Sequence, residues 1–213
     1  MGVIFDMDGV ILDSTPMHNR AWEVYLERHG KDSSQVQRRM HGLRNDDIVR
    51  DFFGPIGDYG EILRHGAAKE RLYREMMGPA LEDHLIPGIR SILEGLAGAP
   101  KAVASNAETP NIDFVLDGAG IRHHFLAVVD GHYVERPKPH PDIYLKAAEL
   151  IGVAPVNCVV FEDSIPGIEA ARAAGTRVVG LTTTLAVLDG VDRQADDFTD
   201  ESLLDWLRSQ RPR

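Results

Sequence analysis

Short apolar runs that stop at polar residues alternate with stretches of helical period along most of this chain, and few folds accommodate that alternation. The run "GVIFD" (2–6) is too short for a buried helix and suits an interior strand. "KAVASN" (101–106), "NCVVFEDS" (157–164) and "TRVVGL" (176–181) read the same way, and a last short strand is expected beyond residue 182. Between them, "PGIRSILEGLAG" places Ile89, Ile92, Leu93 and Leu96 on one helical face. "PDIYLKAAELIG" does so with Ile143, Ala147, Leu150 and Ile151. "PGIEAARAAG" opens at a proline and closes at Gly175, which are helix start and stop signals. Strands alternating with helices predict an α/β fold, a doubly wound parallel sheet covered on both faces. The terminal "ESLLDWLRSQ" reads as an amphipathic helix packing through Leu203, Leu204, Trp206 and Leu207.

Residues 16–86 break the alternation. "MHNRAWEVYLERHG", "RNDDIVRDFFG" and "GAAKERLYREMMG" are helical patterns that end at glycine, with no strand signal between them. The expectation is a core domain formed by 1–15 and 87–213, with an all-helical domain inserted at 16–86. Pro87 and Gly88 in "LIPGI" mark the return.

A net charge of −10 argues against nucleic acid or an anionic membrane as partner, because both call for a basic surface. An anionic ligand must therefore meet positive charge assembled locally. The single cysteine, Cys158, cannot form an intrachain disulfide and reads as a buried, inert strand residue. No apolar run reaches the length of a membrane span, and the N-terminal acids do not suit a signal peptide. The reading is a cytoplasmic protein.

In an open parallel sheet, ligands bind at the carboxyl ends of the strands. Those ends hold Asp6 and Asp8, then Ser105 and Asn106, then Glu162 and Asp163, with Lys138 in "RPKPHPD" just before a helix. A single acid after a strand is most often a turn former or helix cap. The same set converging on one rim from four places is difficult to assign to turns.

The four stretches "FDMDGV", "SN" at 105–106, "KP" at 138–139 and "FEDS" together resemble the motifs of the haloacid dehalogenase superfamily of phosphotransferases. Within it, the chain looks most like the branch holding β-phosphoglucomutase and small sugar-phosphate phosphatases, whose cap is a small helical insert. The resemblance implies Asp6 as the nucleophile that becomes an aspartyl phosphate and Asp8 as general acid and base. It implies Ser105 and Lys138 as holders of the phosphoryl oxygens. It implies Mg2+ bound by Asp6, the backbone carbonyl of Asp8 and Asp163, with Glu162 ligating directly or through water. The dehalogenase branch lacks an acid at position 8, so Asp8 points to an oxygen leaving group.

Elementary electrostatics agrees with this assignment. A carboxylate approaching a phosphate meets repulsion of ~1 to 4 kcal/mol at about 4 Å, which a hard dication and a lysine remove. Gly9 allows the tight turn that turns backbone amides toward phosphate.

Substrate contacts are expected from His18 and Trp22 in "MHNRAW", Gly42 and Arg44 in "HGLRNDD", Lys69 in "AKERLY", and Asn106. For Trp22 a core position, and for Lys69 a solvated pair with Tyr73 or a nearby Glu, are the plainer readings. Mutases of the branch carry a lysine after the second-motif serine, where this chain has Glu108 in "SNAET". The sequence therefore favours a phosphatase of a small phosphorylated metabolite, expected to be a monomer, with β-phosphoglucomutase as the alternative. Asp13 is expected to be a turn or hinge residue. His123 and His124 are expected at the surface or in a loop, and His140 at a helix entry.

Overall fold

A computed structural model describes residues 1–36, 45–54, 57–131 and 133–210. They form two compact units, one from Met1–Asp13 with Leu81–Arg213 and one from Ser14–Ala80. Among the described residues no helix is long and apolar enough to cross a membrane.

The second unit is helical. Its helices α1 (Thr15–Arg28), α2 (Asn45–Phe53) and α3 (Tyr59–Met77) pack around Trp22, Leu26, Ile48, Val49, Ile62 and Leu72. Asp58 caps α3 by accepting a hydrogen bond from the Gly60 amide at 2.9 Å, which satisfies an orphan donor of the first turn.

The first unit carries a six-stranded parallel sheet. Its strands are β1 (Gly2–Phe5), β2 (Lys101–Ala104), β3 (Ala127–Val129), β4 (Cys158–Glu162), β5 (Arg177–Leu181) and β6 (Arg193–Ala195). They lie in the order β3-β2-β1-β4-β5-β6, all pairs parallel. The unit's helices are α4 (Ile89–Gly95), α5 (Thr109–Gly118), α6 (Asp142–Leu150), α7 (Ile165–Ala173) and α8 (Glu201–Ser209). Every residue of β1, β2, β4 and β5 is buried, which is why these strands read as continuous apolar runs. Burial pushes the Cys158 thiol up to about 11, so it is the inert strand residue expected.

Register places the chemistry. Phe5 of β1 pairs with Val103 of β2 and Phe161 of β4, so the residues that follow each strand emerge at one edge of the sheet. The Phe5 and Phe161 rings stack at 4.9 Å and give that edge an apolar floor.

Three details depart from the sequence reading. Strand β3, whose run "LAVVD" (126–130) also stops at an acid, was not among the strands expected; it is three residues long, with Ala127 and Val128 only half-buried at the sheet's edge. On α6, Leu150 is 46% exposed and the buried face instead runs through Ile143, Tyr144, Ala147, Ala148 and Ile151. The buried arc is rotated toward Tyr144, leaving Leu150 just outside it. On α8, Leu203 and Leu207 are buried, while Leu204 and Trp206 are half-buried.

Candidate active site

Asp6 continues β1 by one residue, its amide donating to the Phe161 carbonyl at 3.0 Å. The chain then turns at Gly9, whose φ is +73°. A side chain there is excluded twice. The left-handed backbone disfavours it, and a Cβ would overlap the Asp163 carboxylate. The turn thus brings the two halves of the acidic cluster, Asp6–Asp8 and Glu162–Asp163, into contact.

Lys138 lies between β3 and α6, and its ammonium donates to Asp6 Oδ1 and Glu162 Oε1, both at 2.6 Å. Glu162 is fully buried and accepts from five donors. Oε1 receives Lys138 and the Tyr144 hydroxyl at 2.6 Å. Oε2 receives the Asp163 amide at 3.0 Å, the Ser164 amide at 3.1 Å and the Ser164 hydroxyl at 2.9 Å. Ser164 also caps α7 by accepting from the Gly167 amide at 3.2 Å. A Cβ on Gly167 would fall on the Glu162 carboxylate, so this helix start fits only without a side chain at that position.

Ser105 is buried at the end of β2, its amide donating to the Val129 carbonyl at 3.0 Å and its hydroxyl accepting from the Ala107 amide at 3.1 Å. Asn106 beside it is exposed. Asp130, at the end of β3, is buried and accepts from the Thr109 hydroxyl, tying the start of α5 to the sheet. From the far side, the loop after β5 sends Thr183 to the Gly9 carbonyl at 2.5 Å and Thr184 to Asp163 Oδ2. Thr184, Thr183, Tyr144 and Asp130 went unnoticed in the sequence. Only Asp130 carried a signal of the kind used there, an acid after an apolar run.

The charges of the site conflict. Burial raises Asp6 well above its ordinary value, and Glu162, Asp163 and Asp8 add to that against the pull of Lys138. Glu162 ends low: burial raises it, but the charge and hydrogen bond of Lys138 and the bond from Tyr144 prevail. Lys138 is held above the usual lysine range by Asp6 and Glu162 although burial opposes it. One ammonium cannot neutralise both carboxylates, so Glu162 stays ionised and Asp6 bears the excess. Asp163 is pushed up to about 7 by burial and then by Glu162, against the hydrogen bond from Thr184.

This donor set fits a hard divalent cation. Asp6, Glu162 and Asp163 each offer an oxygen, all within 4.8 Å of one another. Asp6 and Asp163, both raised for want of positive charge beside an ionised Glu162, suit Mg2+, which favours a few carboxylates. A sign follows for pH. An acid raised in the folded state costs stability as pH climbs from its ordinary 3.8 to about 7, because the folded form must surrender a proton that it holds tightly. A cation replaces that proton. Added Mg2+ is expected to raise Tm by about 5 °C or more near pH 8 and by little near about pH 5, read by differential scanning calorimetry. An equal rise at both pH values would contradict the assignment. Thr184→Val removes the hydroxyl that orients Asp163, and isothermal titration calorimetry is expected to show Mg2+ affinity weakened about 10-fold.

In the helical unit, Lys69 is buried, with its ammonium 2.5 Å from Glu70 Oε1 and 3.0 Å from His18 Nδ1. It lies 5.2 Å from the Trp22 ring centre and 5.9 Å from that of Tyr73. His18 stacks on Tyr73 at 3.8 Å, and Asn45 donates to Glu70 Oε1 at 2.6 Å. Burial, then Lys69, pushes His18 down to about 3, so the imidazole is neutral. The alternative reading of Lys69 as a solvated charge is corrected: it is paired with a nearby Glu, but inside the unit. Trp22 is a core residue of the unit. Gly42 and Arg44 lie outside the described residues. His140 is exposed before α6, and Asp13 ends the first segment of the sheet unit, its amide donating to the His84 carbonyl at 2.8 Å.

Comparison with known proteins adds a lineage to this geometry. A sequence model for haloacid dehalogenase-like hydrolases matches residues 1–175. The chain is 35% identical over 181 residues to the fructose-1-phosphate phosphatase YqaB of Escherichia coli, covering 84% of this chain and 94% of that protein. It is 30% identical over 209 residues to the β-phosphoglucomutase of Bacillus subtilis, covering 94% and 92%. A solved structure of an Entamoeba histolytica HAD hydrolase of family IA, variant 3, superposes with a TM-score of 0.85 at 26% identity, covering 97% of this chain and 99% of that one.

Proposed function

Since the chain belongs to the haloacid dehalogenase-like hydrolase family, we propose that it is a Mg2+-dependent phosphatase of a small phosphorylated sugar. The observation that carries this reading is the Asp6–Lys138 pair at 2.6 Å within a ring of buried acids. Such a pair places a nucleophilic oxygen beside the positive charge that a phosphoryl group needs.

In this reading Asp6, Asp163 and the backbone carbonyl of Asp8 hold the cation. When bound, it supplies charge neutralisation and Lewis acidity at a phosphoryl oxygen. Ser105 and Lys138 bind the remaining phosphoryl oxygens, which is most of what a loose phosphoryl-transfer transition state requires. An Asp6 oxygen forms a bond to phosphorus as the ester P–O bond breaks, and Asp8 gives its proton to the departing sugar oxygen. A water molecule then attacks the aspartyl phosphate. It gives a proton to Asp8, and inorganic phosphate leaves with Asp6 restored as a carboxylate.

We assign substrate selection to the helical unit, through His18 and Lys69, with Trp22, Gly42 and Arg44 in support. The sheet unit contributes Asn106. Two features favour sugar phosphates and hydrolysis: the relative named for fructose-1-phosphate, and Glu108 where mutases of this branch carry a lysine. A negative residue there opposes retention of a bisphosphate. The second reading, β-phosphoglucomutase, is favoured by the Bacillus subtilis relative, whose match covers 94% of this chain.

One experiment separates the two. The protein is incubated with Mg2+ and a sugar-monophosphate panel that includes fructose 1-phosphate. In parallel it is given β-glucose 1-phosphate with a trace of the 1,6-bisphosphate. Free phosphate from the panel supports the phosphatase. Conversion to glucose 6-phosphate with little free phosphate overturns it in favour of the mutase.

A further inference from the structure

Among the described residues, Tyr144 is the one fully buried tyrosine of the sheet unit whose hydroxyl reaches the acidic cluster, and no step above uses it. It occupies the second residue after the first turn residue of α6, six positions beyond Lys138, and faces inward where Ile143 and Ala147 form the core. The ring alone would serve the core. The hydroxyl does more, donating at 2.6 Å to Glu162 Oε1, the same oxygen that accepts from Lys138. The ring centre also lies 4.9 Å from the Lys138 ammonium, a cation–π distance. Tyr144 therefore touches both members of the pair that faces Asp6.

We propose that Tyr144 is a positioning residue for phosphoryl transfer, which through Glu162 sets how much of the Lys138 ammonium is available to Asp6 and the phosphoryl group. This inference rests on the phosphatase reading of the site. An ammonium has three N–H donors. Two go to Asp6 and Glu162, leaving one for a phosphoryl oxygen. Glu162 is fully buried, so its charge must be met by protein donors. With the Tyr144 hydroxyl present, Oε1 has a second strong donor, and Lys138 is shared evenly between Glu162 and Asp6. Without it, Oε1 keeps Lys138 as its sole donor, and the ammonium is drawn toward Glu162 and away from Asp6. The cost falls on the group in flight, whose charge Lys138 must follow.

The test uses Tyr144→Phe, which keeps the ring and the volume. Its readouts are steady-state kinetics, the affinity for orthovanadate with Mg2+ present as a mimic of the transferring group, and Tm. The expected result is a kcat about 10-fold lower with KM changed less than about twofold, and vanadate binding about 10-fold weaker. In a Lys138→Met background the same substitution is expected to leave vanadate affinity unchanged, because its effect runs through Lys138. In a Glu162→Gln background, which lacks the charge that draws Lys138 away, Tyr144→Phe is expected to cause no further loss of vanadate affinity. Unaltered kcat and vanadate affinity in Tyr144→Phe, or the same fold-loss in the Lys138→Met background, would overturn the inference. Should Lys138→Met itself retain full phosphatase activity, the assignment of the site fails, and that outcome is distinct from a silent Tyr144→Phe.

Discussion

Asp6→Asn is expected to reduce phosphate release about 10⁴-fold or more, with the fold intact. The amide has the shape of the carboxylate but no oxygen able to form an acyl phosphate, so the covalent route closes. The folded state is not the casualty. Asp6 is a buried acid pushed up by burial and three neighbouring acids, and a neutral side chain relieves that conflict. At neutral pH the metal-free variant is therefore expected to be at least as stable as the parent, while its Mg2+ affinity falls. Two measurements check this. Acid-quenched parent protein, incubated with radiolabelled substrate, yields a hydroxylamine-sensitive phosphoprotein, and the variant yields none. Phosphatase activity surviving at the parental level in Asp6→Asn would remove Asp6 from the mechanism.

Asp8→Asn carries the second large effect, and it depends on the leaving group. With a sugar phosphate the departing alkoxide needs a proton, so kcat/KM is expected to fall about 10² to 10⁴-fold. With p-nitrophenyl phosphate the leaving group departs without one, and kcat/KM is expected to stay within about 10-fold of the parent. Turnover still slows with either substrate, because water attacking the aspartyl phosphate has lost its base. The signature is a burst of p-nitrophenol close to one equivalent per enzyme, followed by a slow phase. An equal loss of kcat/KM with both substrates would assign Asp8 to binding and not to proton transfer.

The acids and Lys138 were legible because an α/β alternation tells where strands end, and strand ends tell where ligands bind. Asp6, Ser105, Glu162 and Asp163 follow from that geometry alone. Tyr144 was not, because a tyrosine on an amphipathic helix looks like core, and half of it is core. Thr183 and Thr184 were not, because their partners Gly9 and Asp163 are set by a loop closing over the sheet edge, with no periodic pattern to announce it. Glu162 was legible as an acid and illegible as a saturated acceptor, since five donors from three elements meet only in three dimensions. Strand β3 escaped although "LAVVD" ends at an acid, because an edge strand of three residues with only Val129 fully buried leaves a short and weak pattern.

The strand order has a consequence for how the protein is made. Strand β1 is the first to leave the ribosome, yet its partners are Lys101–Val103 on one side and Cys158–Phe161 on the other. At about 5 to 20 residues per second, synthesis of the ~150 intervening residues leaves "GVIF" without its second neighbour for ~8 to 30 s. Ser14–Ala80 is contiguous in the chain and can fold during that interval. The segment that carries the proposed nucleophile is thus an apolar strand awaiting its second neighbour, and a nascent chain stalled before residue 158 presents it to chaperones.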